Sequence, residues 1–180
     1  MGTTIKVEKF NWNSSVDESL IREVAEALEY ISLGRVKTAA FNLQKDGKGP
    51  AFKNLVESTL QGRHWSKKHE IVPAQKRAFV KALYYDRWKE EDGTKIAFTW
   101  GFHHQQGIMR NILKPSFHRA LNLIGEAPSV HIIVAPSQLV KKTLGMNAAQ
   151  ADSESFSSHL DILATQLPVP TLLFSVKNIE

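Results

Sequence analysis

The pair Asp92-Gly93 constrains the fold of this chain more than any other feature. It stands between two runs rich in aromatic and β-branched residues, Tyr84-Tyr85-Asp86-Arg87-Trp88 and Thr94-Lys95-Ile96-Ala97-Phe98-Thr99-Trp100. Asp-Gly tolerates the left-handed backbone of a tight hairpin turn, and the flanking runs suit pleated strands. A β-hairpin is therefore expected. With its turn centred near Glu91-Asp92, Asp86 would face Ala97 and Tyr84 would face Thr99. Period-two alternation puts Ile96, Phe98 and Trp100 on one face, and Lys95, Ala97 and Thr99 on the other. The apolar set should point into the core, which leaves the second set facing outward beside Asp86.

The rest of the chain supplies elements to pack against that hairpin. Leu20, Ile21, Val24, Ala27, Leu28 and Ile31 recur at helical spacing, predicting a helix over 17–33 that Gly34 ends. Lys45 to Pro50 reads as a loop, Ala51 to Leu60 as a short helix closed at Gly62, and Trp65 to Val72 as a strand broken by Pro73. Residues 105–124 read as helical, with Pro115 breaking or kinking them midway. Val130-His131-Ile132-Ile133-Val134 is a nearly continuous apolar run, the signature of a strand buried on both faces. Lys141 to Ser155 reads as a polar loop, Phe156 to Leu167 as a helix, and Thr171 to Val176 as a final strand. The alternation of helices and strands argues an α/β domain with a mixed sheet. At 180 residues, one domain spanning 1–180 is expected.

The formal net charge is +5, and its distribution points to a polyanion. Arg63, Lys67, Lys68, Lys76, Arg77, Lys81, Arg87 and Lys89 crowd one stretch in which only Glu70 and Asp86 oppose them. Trp65, Tyr84, Tyr85 and Trp88 are interleaved. Cations neutralise phosphates and release counterions, while aromatic rings pack on sugar or base. A solvated basic face is the competing reading. Lys45 and Lys48 sit in the glycine-rich loop and are candidate phosphate contacts. The chain has no cysteine, which excludes disulfides and thiolate metal sites. No apolar run is long enough to span a bilayer, and the first residues lack a signal-peptide core, so a cytoplasmic protein is expected.

From Lys95 onward the chain resembles a known family. The string Lys95-Ile96-Ala97-Phe98-Thr99-Trp100-Gly101 is followed by a helix and then by Val130-His131-Ile132-Ile133-Val134-Ala135-Pro136. A polar loop and Pro168-Val169-Pro170-Thr171-Leu172-Leu173-Phe174 come next. This order, with Ala51 to Glu57, Gly62 and Trp65 upstream, resembles the type II restriction endonucleases of the BglII, BstYI and BamHI group. The resemblance implies a PD-(D/E)xK-type, restriction-endonuclease-like mixed sheet flanked by helices. It also implies a homodimer on a short palindromic site in double-stranded DNA, and Mg2+-dependent cleavage of both strands. The family's metal-binding aspartate falls on Asp86. Its second acidic ligand falls on Ala97, and its catalytic lysine, glutamine or glutamate on Thr99. The base-reading segment falls on Phe102, His103, His104 and Gln105, and the loop from Lys141 to Ser153 is assigned to base reading with it.

Ala97 offers no ligand and Thr99 only a neutral hydroxyl, whereas magnesium prefers an octahedron of oxygens that includes carboxylates. Two substitutes are open. Glu57 could approach from the upstream helix, or an acid of the hairpin tip (Glu90, Glu91 or Asp92) could shift in. Lys95 lies on the expected face but two residues early. Cleavage by this chain is therefore expected to be impaired. A non-catalytic DNA-binding or regulatory module on a nuclease fold is the second reading, and a protein-interaction or immunity factor the third. Neither an HExxH pattern, a Walker loop nor a nucleophile elbow is present.

Overall fold

The computed structural model describes residues 2–12, 18–42, 47–72, 83–102, 104–121 and 126–180. Lys45, Pro73, Lys76, Arg77, Lys81 and His103 lie outside the described residues. In chain order the elements are strand β1 (Thr3–Phe10) and helices α1 (Glu18–Glu29), α2 (Leu33–Asn42) and α3 (Lys48–Gly62). Strands β2 (His69–Glu70), β3 (Tyr84–Tyr85), β4 (Arg87–Glu91) and β5 (Thr94–Trp100) follow. Then come helices α4 (Ile108–Ile112) and α5 (Lys114–Leu121), strand β6 (Val130–Pro136), helices α6 (Gln138–Thr143) and α7 (Ser153–Leu163), and strand β7 (Thr171–Ile179).

Five strands form one mixed sheet in the order β1-β7-β6-β5-β4. The hairpin β4–β5 is antiparallel, β5–β6 and β6–β7 are parallel, and β7–β1 is antiparallel. Parallel neighbours need crossover connections, and α4–α5 and α6–α7 provide them. Strand β6 is buried along its whole length, as its apolar run predicts.

Each face of the sheet has its own core. Ile96, Phe98 and Trp100 join Ile132, Val134 and Phe174 beneath Val24 and Leu28 of α1 and Phe52 and Val56 of α3. On the opposite face Ile133, Ala135 and Leu173 pack with Ile108, Ile112, Phe156 and Leu160 of the later helices. A third cluster unites Ala97 with Ile71, Val72, Leu83, Tyr85 and Trp88.

That third cluster corrects the expected exposure of the hairpin's second face. Ala97 and Thr99 are wholly buried. The crossover from β5 to β6 must run over one face of the sheet, and α1 and α3 already occupy the other. Helix α5 and the chain around β2 and β3 therefore cover Ala97 and Thr99.

The register is corrected too. The turn consists of Asp92 (φ 49°) and Gly93 (φ 76°), so its centre lies one residue later than expected. Two successive left-handed residues are the mark of a type I′ turn. Arg87 pairs with Phe98 and Trp88 with Ala97, and the Asp86 N–H donates to the Phe98 carbonyl oxygen at 2.8 Å. Asp86 thus lies beside Thr99 and Trp100 rather than opposite Ala97. The shift moves each residue's partner by two positions, so no side chain changes face.

Other boundaries differ by cause. The first helix stops at Glu29, because Ile31 turns into the core. Gly34 lies inside the following helix, whose first turn is fastened by Ser32. The strand expected over 65–72 is only two residues long. The helical run after Gln105 breaks at Leu113, just before Pro115. Lys141 belongs to α6 and Ser153 opens α7, which Asp152 caps by accepting from the Ser155 N–H at 2.9 Å.

Two glycines test this architecture. A Cβ on Gly101 would meet Phe156 at 2.8 Å and Ala135 at 2.9 Å, whereas at Gly93 it would meet nothing but would force a left-handed backbone on alanine. Gly101→Ala is expected to cost roughly 2 kcal/mol by overpacking. Gly93→Ala is expected to cost about 1 kcal/mol through backbone strain. Urea unfolding of both variants checks the order.

Candidate active site and nucleic-acid interface

Trp100, the last residue of β5, fastens two carboxylates from different elements. Its indole N–H donates to Glu57 Oε1 at 2.7 Å, and its backbone N–H donates to Asp86 Oδ2 at 2.9 Å. The ring is wholly buried against Phe98 and Phe102 in edge-on contacts, with centroids 4.9 and 5.1 Å away. Glu57 comes from the third turn of α3, and Lys53 stands one turn earlier on the same helix. Lys53 Nζ lies 3.5 Å from Asp86 Oδ1 and 3.7 Å from Glu57 Oε1. Arg87 closes the group by donating to Glu57 Oε2 at 2.8 Å. Asp86 and Arg87 are buried, while Lys53 and Glu57 are partly open.

Lys53 and Glu57 lie on the wall of a cleft of about 560 Å3, together with Asn54, Trp100, Phe102 and Met146. The far wall, Leu144 to Asn147 with Gln150, belongs to the polar loop after α6. His104 forms a β-bridge to Gln150, and the Gln105 N–H donates to the Ala149 carbonyl oxygen at 3.0 Å. The fold thus joins two segments assigned separately to base reading, the one around Phe102 to Gln105 and the loop from Lys141 to Ser153. His104 and Gln105 are exposed. Lys141 itself is buried, 3.5 Å from Asp152 and donating to the carbonyls of Ala148 and Gln150. It holds the loop in shape.

On the other side of β5, Thr99 belongs to a buried polar group with His131 and Lys114. Thr99 Oγ1 is 2.9 Å from His131 Nε2, and Lys114 of α5 donates to the same hydroxyl at 3.5 Å. Burial, aided by the Lys114 charge, lowers the His131 pKa to about 3, so the ring is neutral. Burial also lowers the Lys114 pKa to about 8; the Asp86 carboxylate pulls it back up, while Arg110 and Lys53 push it further down. Tyr84 stands with its ring 5.5 Å from the Lys114 ammonium. His131 is a buried core residue whose Nε2 meets Thr99, while its Nδ1 has no hydrogen-bond partner. The only signal for Lys114 was a lysine at the start of a helix that must cross the sheet.

Among the described residues of the basic stretch, Arg63, Lys68, Arg87 and Lys89 are held in ion pairs. Arg63 pairs with Glu26 at 2.7 Å, Lys68 with Glu70 at 3.5 Å, and Lys89 with Glu23 at 2.9 Å and Glu91 at 3.0 Å. Lys89 is buried, yet its bonds to Glu23 and Glu91 outweigh desolvation and raise its pKa. Arg87 is spent on Glu57. Lys95 does not reach the site: it pairs with Glu126 at 2.6 Å and lies 3.8 Å from Glu90, near the hairpin tip. The hydrogen bond to Glu126 raises its pKa. Glu90, Glu91 and Asp92 stay exposed at that tip. Lys48 donates to the Thr143 carbonyl at 3.4 Å, and Lys67 is exposed. His69 stacks on Trp88 at 4.2 Å, and burial lowers its pKa.

The residues do not fit a magnesium ion as they are arranged. All four oxygens of Glu57 and Asp86 already meet a donor, and Lys53 and Arg87 balance the two negative charges. Ala97 is sealed in an apolar cluster and Thr99 is bonded to His131. Among the described residues, no three His, Asp or Glu side chains converge as ligands.

No protein-family model matches this chain, and no curated protein sequence does. Solved structures do match. The crystal structure of restriction endonuclease BglII complexed with a DNA 16-mer superposes with a TM-score of 0.68. It covers 98% of this chain and 77% of that one at 17% identity. Free BglII matches with a TM-score of 0.59, over 97% of this chain and 80% of its own, at 14% identity. The fold is that of a restriction endonuclease. Its particular form is BglII-like, with the mixed sheet flanked by helices that the resemblance implied, here of five strands. Among the described residues no helix is long and apolar enough to cross a membrane.

Two titrations follow from the buried polar group. The unfolded lysine binds its proton up to about pH 10.5, whereas Lys114 in the fold releases it near pH 8. The unfolded state therefore holds the extra proton between those values, and the contribution of Lys114 to stability rises with pH across that window. Lys114→Met should be more stable than the parent at pH 7, by on the order of 3 kcal/mol, with the gap closing towards pH 10.5. For His131 the sign is the same in acid: its contribution is complete above pH 6.5 and is lost as pH falls towards 3. Urea midpoints measured across pH test both.

Proposed function

We propose that this chain is a duplex DNA-binding protein built on a restriction-endonuclease fold, in which phosphodiester cleavage is impaired. The observation that carries this reading is the convergence of Glu57 and Asp86, from separate elements, on Lys53 at the cleft wall. In an endonuclease fold two such carboxylates stand where the scissile phosphate must come. Here both are neutralised by protein cations, and the third acidic position is an alanine in an apolar cluster. Duplex DNA is the partner that the BglII likeness suggests, since that protein's crystal structure holds a DNA 16-mer.

In this reading the cleft accepts one strand of the duplex. Lys53 and Lys48 meet the phosphate backbone, with Lys67 and, outside the described residues, Lys45 of the same loop as Lys48 and Lys76, Arg77 and Lys81 of the basic stretch as further candidate contacts. His104 and Gln105, bridged to the Gln150 loop, are placed to meet base edges, where histidine and glutamine both donate and accept. A second copy of the chain would present the same edge to the other half of a palindromic site. Magnesium-dependent cleavage is the activity that the resemblance implies. The non-catalytic module is favoured over it by one specific observation, the burial of Ala97 against Tyr85 and Trp88.

Gel-shift titrations across salt, with selection from random duplexes, test recognition. Tight binding that weakens steeply with salt and selects a short palindrome is expected. No binding at low salt would end the proposal, and efficient plasmid cutting with Mg2+ would end its non-catalytic part. Ala97→Glu is expected not to confer cutting. It would bury a carboxylate among aromatic rings and lower stability by roughly 3 kcal/mol, read from thermal melts.

A further inference from the structure

We infer that Lys53 is a built-in replacement for a divalent cation: its ammonium holds the position between Glu57 and Asp86 that a metal ion would otherwise take. The inference deepens the proposed function, because it concerns the same site, but it makes a separate claim. Three observations carry it. Among the described residues the Lys53 ammonium is the one cation within 4 Å of both carboxylates, at 3.5 and 3.7 Å, so it sits between them. Three oxygens of the pair are held by fixed donors, Asp86 Oδ2 by the Trp100 backbone, Glu57 Oε1 by the Trp100 indole and Glu57 Oε2 by Arg87, and Lys53 meets the remaining Asp86 Oδ1 while sharing Glu57 Oε1 with the indole. Finally, Ala97 and Thr99 withhold the further anionic oxygens that a divalent ion would draw on.

Charge decides between the two occupants. A divalent ion needs several anionic or carbonyl oxygens at close range and tolerates few cations beside it. Two carboxylates facing one lysine and one arginine are already neutral as a set. A single ammonium completes that balance, and helix α3 holds it in register with Glu57 one turn on. Lys53 also lines the cleft, so a phosphate entering there would meet a protein cation in place of a metal. Binding of DNA would then be indifferent to Mg2+.

The test uses the full chain and Mn2+ as probe, with no DNA present. Electron paramagnetic resonance is used to count bound Mn2+ for the parent, for Lys53→Met, and for Lys53→Met combined with Glu57→Gln, each shown to be folded by circular dichroism. The parent is expected to bind no stoichiometric Mn2+ at millimolar concentration. Lys53→Met is expected to bind one ion at least tenfold more tightly than the parent, and the double variant to lose it. A parent that binds one Mn2+ as tightly as Lys53→Met overturns the inference, and so does a folded Lys53→Met that binds none. DNA affinity of the parent in EDTA and in Mg2+, at matched ionic strength, is a second readout. Equal values agree with the inference, and a tenfold gain in Mg2+ overturns it. If the parent binds no DNA in either buffer, the proposed function fails, while the Mn2+ count still decides the role of Lys53.

Discussion

The double grip of Trp100 on Glu57 and Asp86 is the contact on which the site depends. One residue uses its indole N–H for a helix carboxylate and its backbone N–H for a strand carboxylate. Its ring is fixed in the core by Phe52, Phe98 and Phe102, so neither hydrogen bond can drift without repacking that cluster. Glu57 and Asp86 are separated by 29 positions in the chain, and α3 is held against the sheet chiefly by apolar contacts. Hydrogen bonds to a well-packed anchor convert that apolar contact into a defined spacing between two charges. The cleft inherits its shape from the same residue, because Trp100 and Phe102 form its floor beside Lys53.

Burial on the other face of β5 explains why the site is as neutral as it is. A carboxylate at position 97 would be surrounded by Tyr85, Trp88 and Ile71 and would lose its water there. Alanine suits that space. The polar residues on this face solve the burial problem by staying uncharged or by sharing one hydroxyl. His131 is neutral, Thr99 accepts from Lys114, and Lys114 is the one charge that the fold carries there at a cost. The proximity of Asp86 moderates that cost, so the two faces are coupled through the end of the hairpin. A change in charge at the acidic pair would be felt by a lysine on the far side of the strand.

Much of this was legible in the sequence because it rests on local rules. The Asp92-Gly93 turn, the inward set Ile96, Phe98 and Trp100, and the doubly buried strand at 130–134 all follow from period and turn chemistry. The turn centre was misjudged by one residue, which displaced the partner of Asp86 by two positions while leaving every face unchanged. The exposure of Ala97 and Thr99 was misread for a different reason. Alternation says which residues share a face but not whether that face is covered. The cover comes from a crossover helix, and two parallel strands joined by a helical stretch already require one.

Long-range pairing was the least legible part. The stretch from Arg63 to Lys89 looked unopposed because only its local acids were counted. Its partners Glu23, Glu26 and Glu57 lie on α1 and α3, up to 66 positions away. Of these pairs the exposed Arg63–Glu26 contributes little stability, but all of them remove cations from the supply available to a polyanion. A cation locked to such a carboxylate must break that pair before it can meet another anion; Lys53 is itself shared between Glu57 and Asp86, although it is half-buried and lines the cleft. Among the described residues the unpaired basic surface is thus narrower than the composition suggests. The cleft lies where the sheet, helix α3 and the segment after α6 meet.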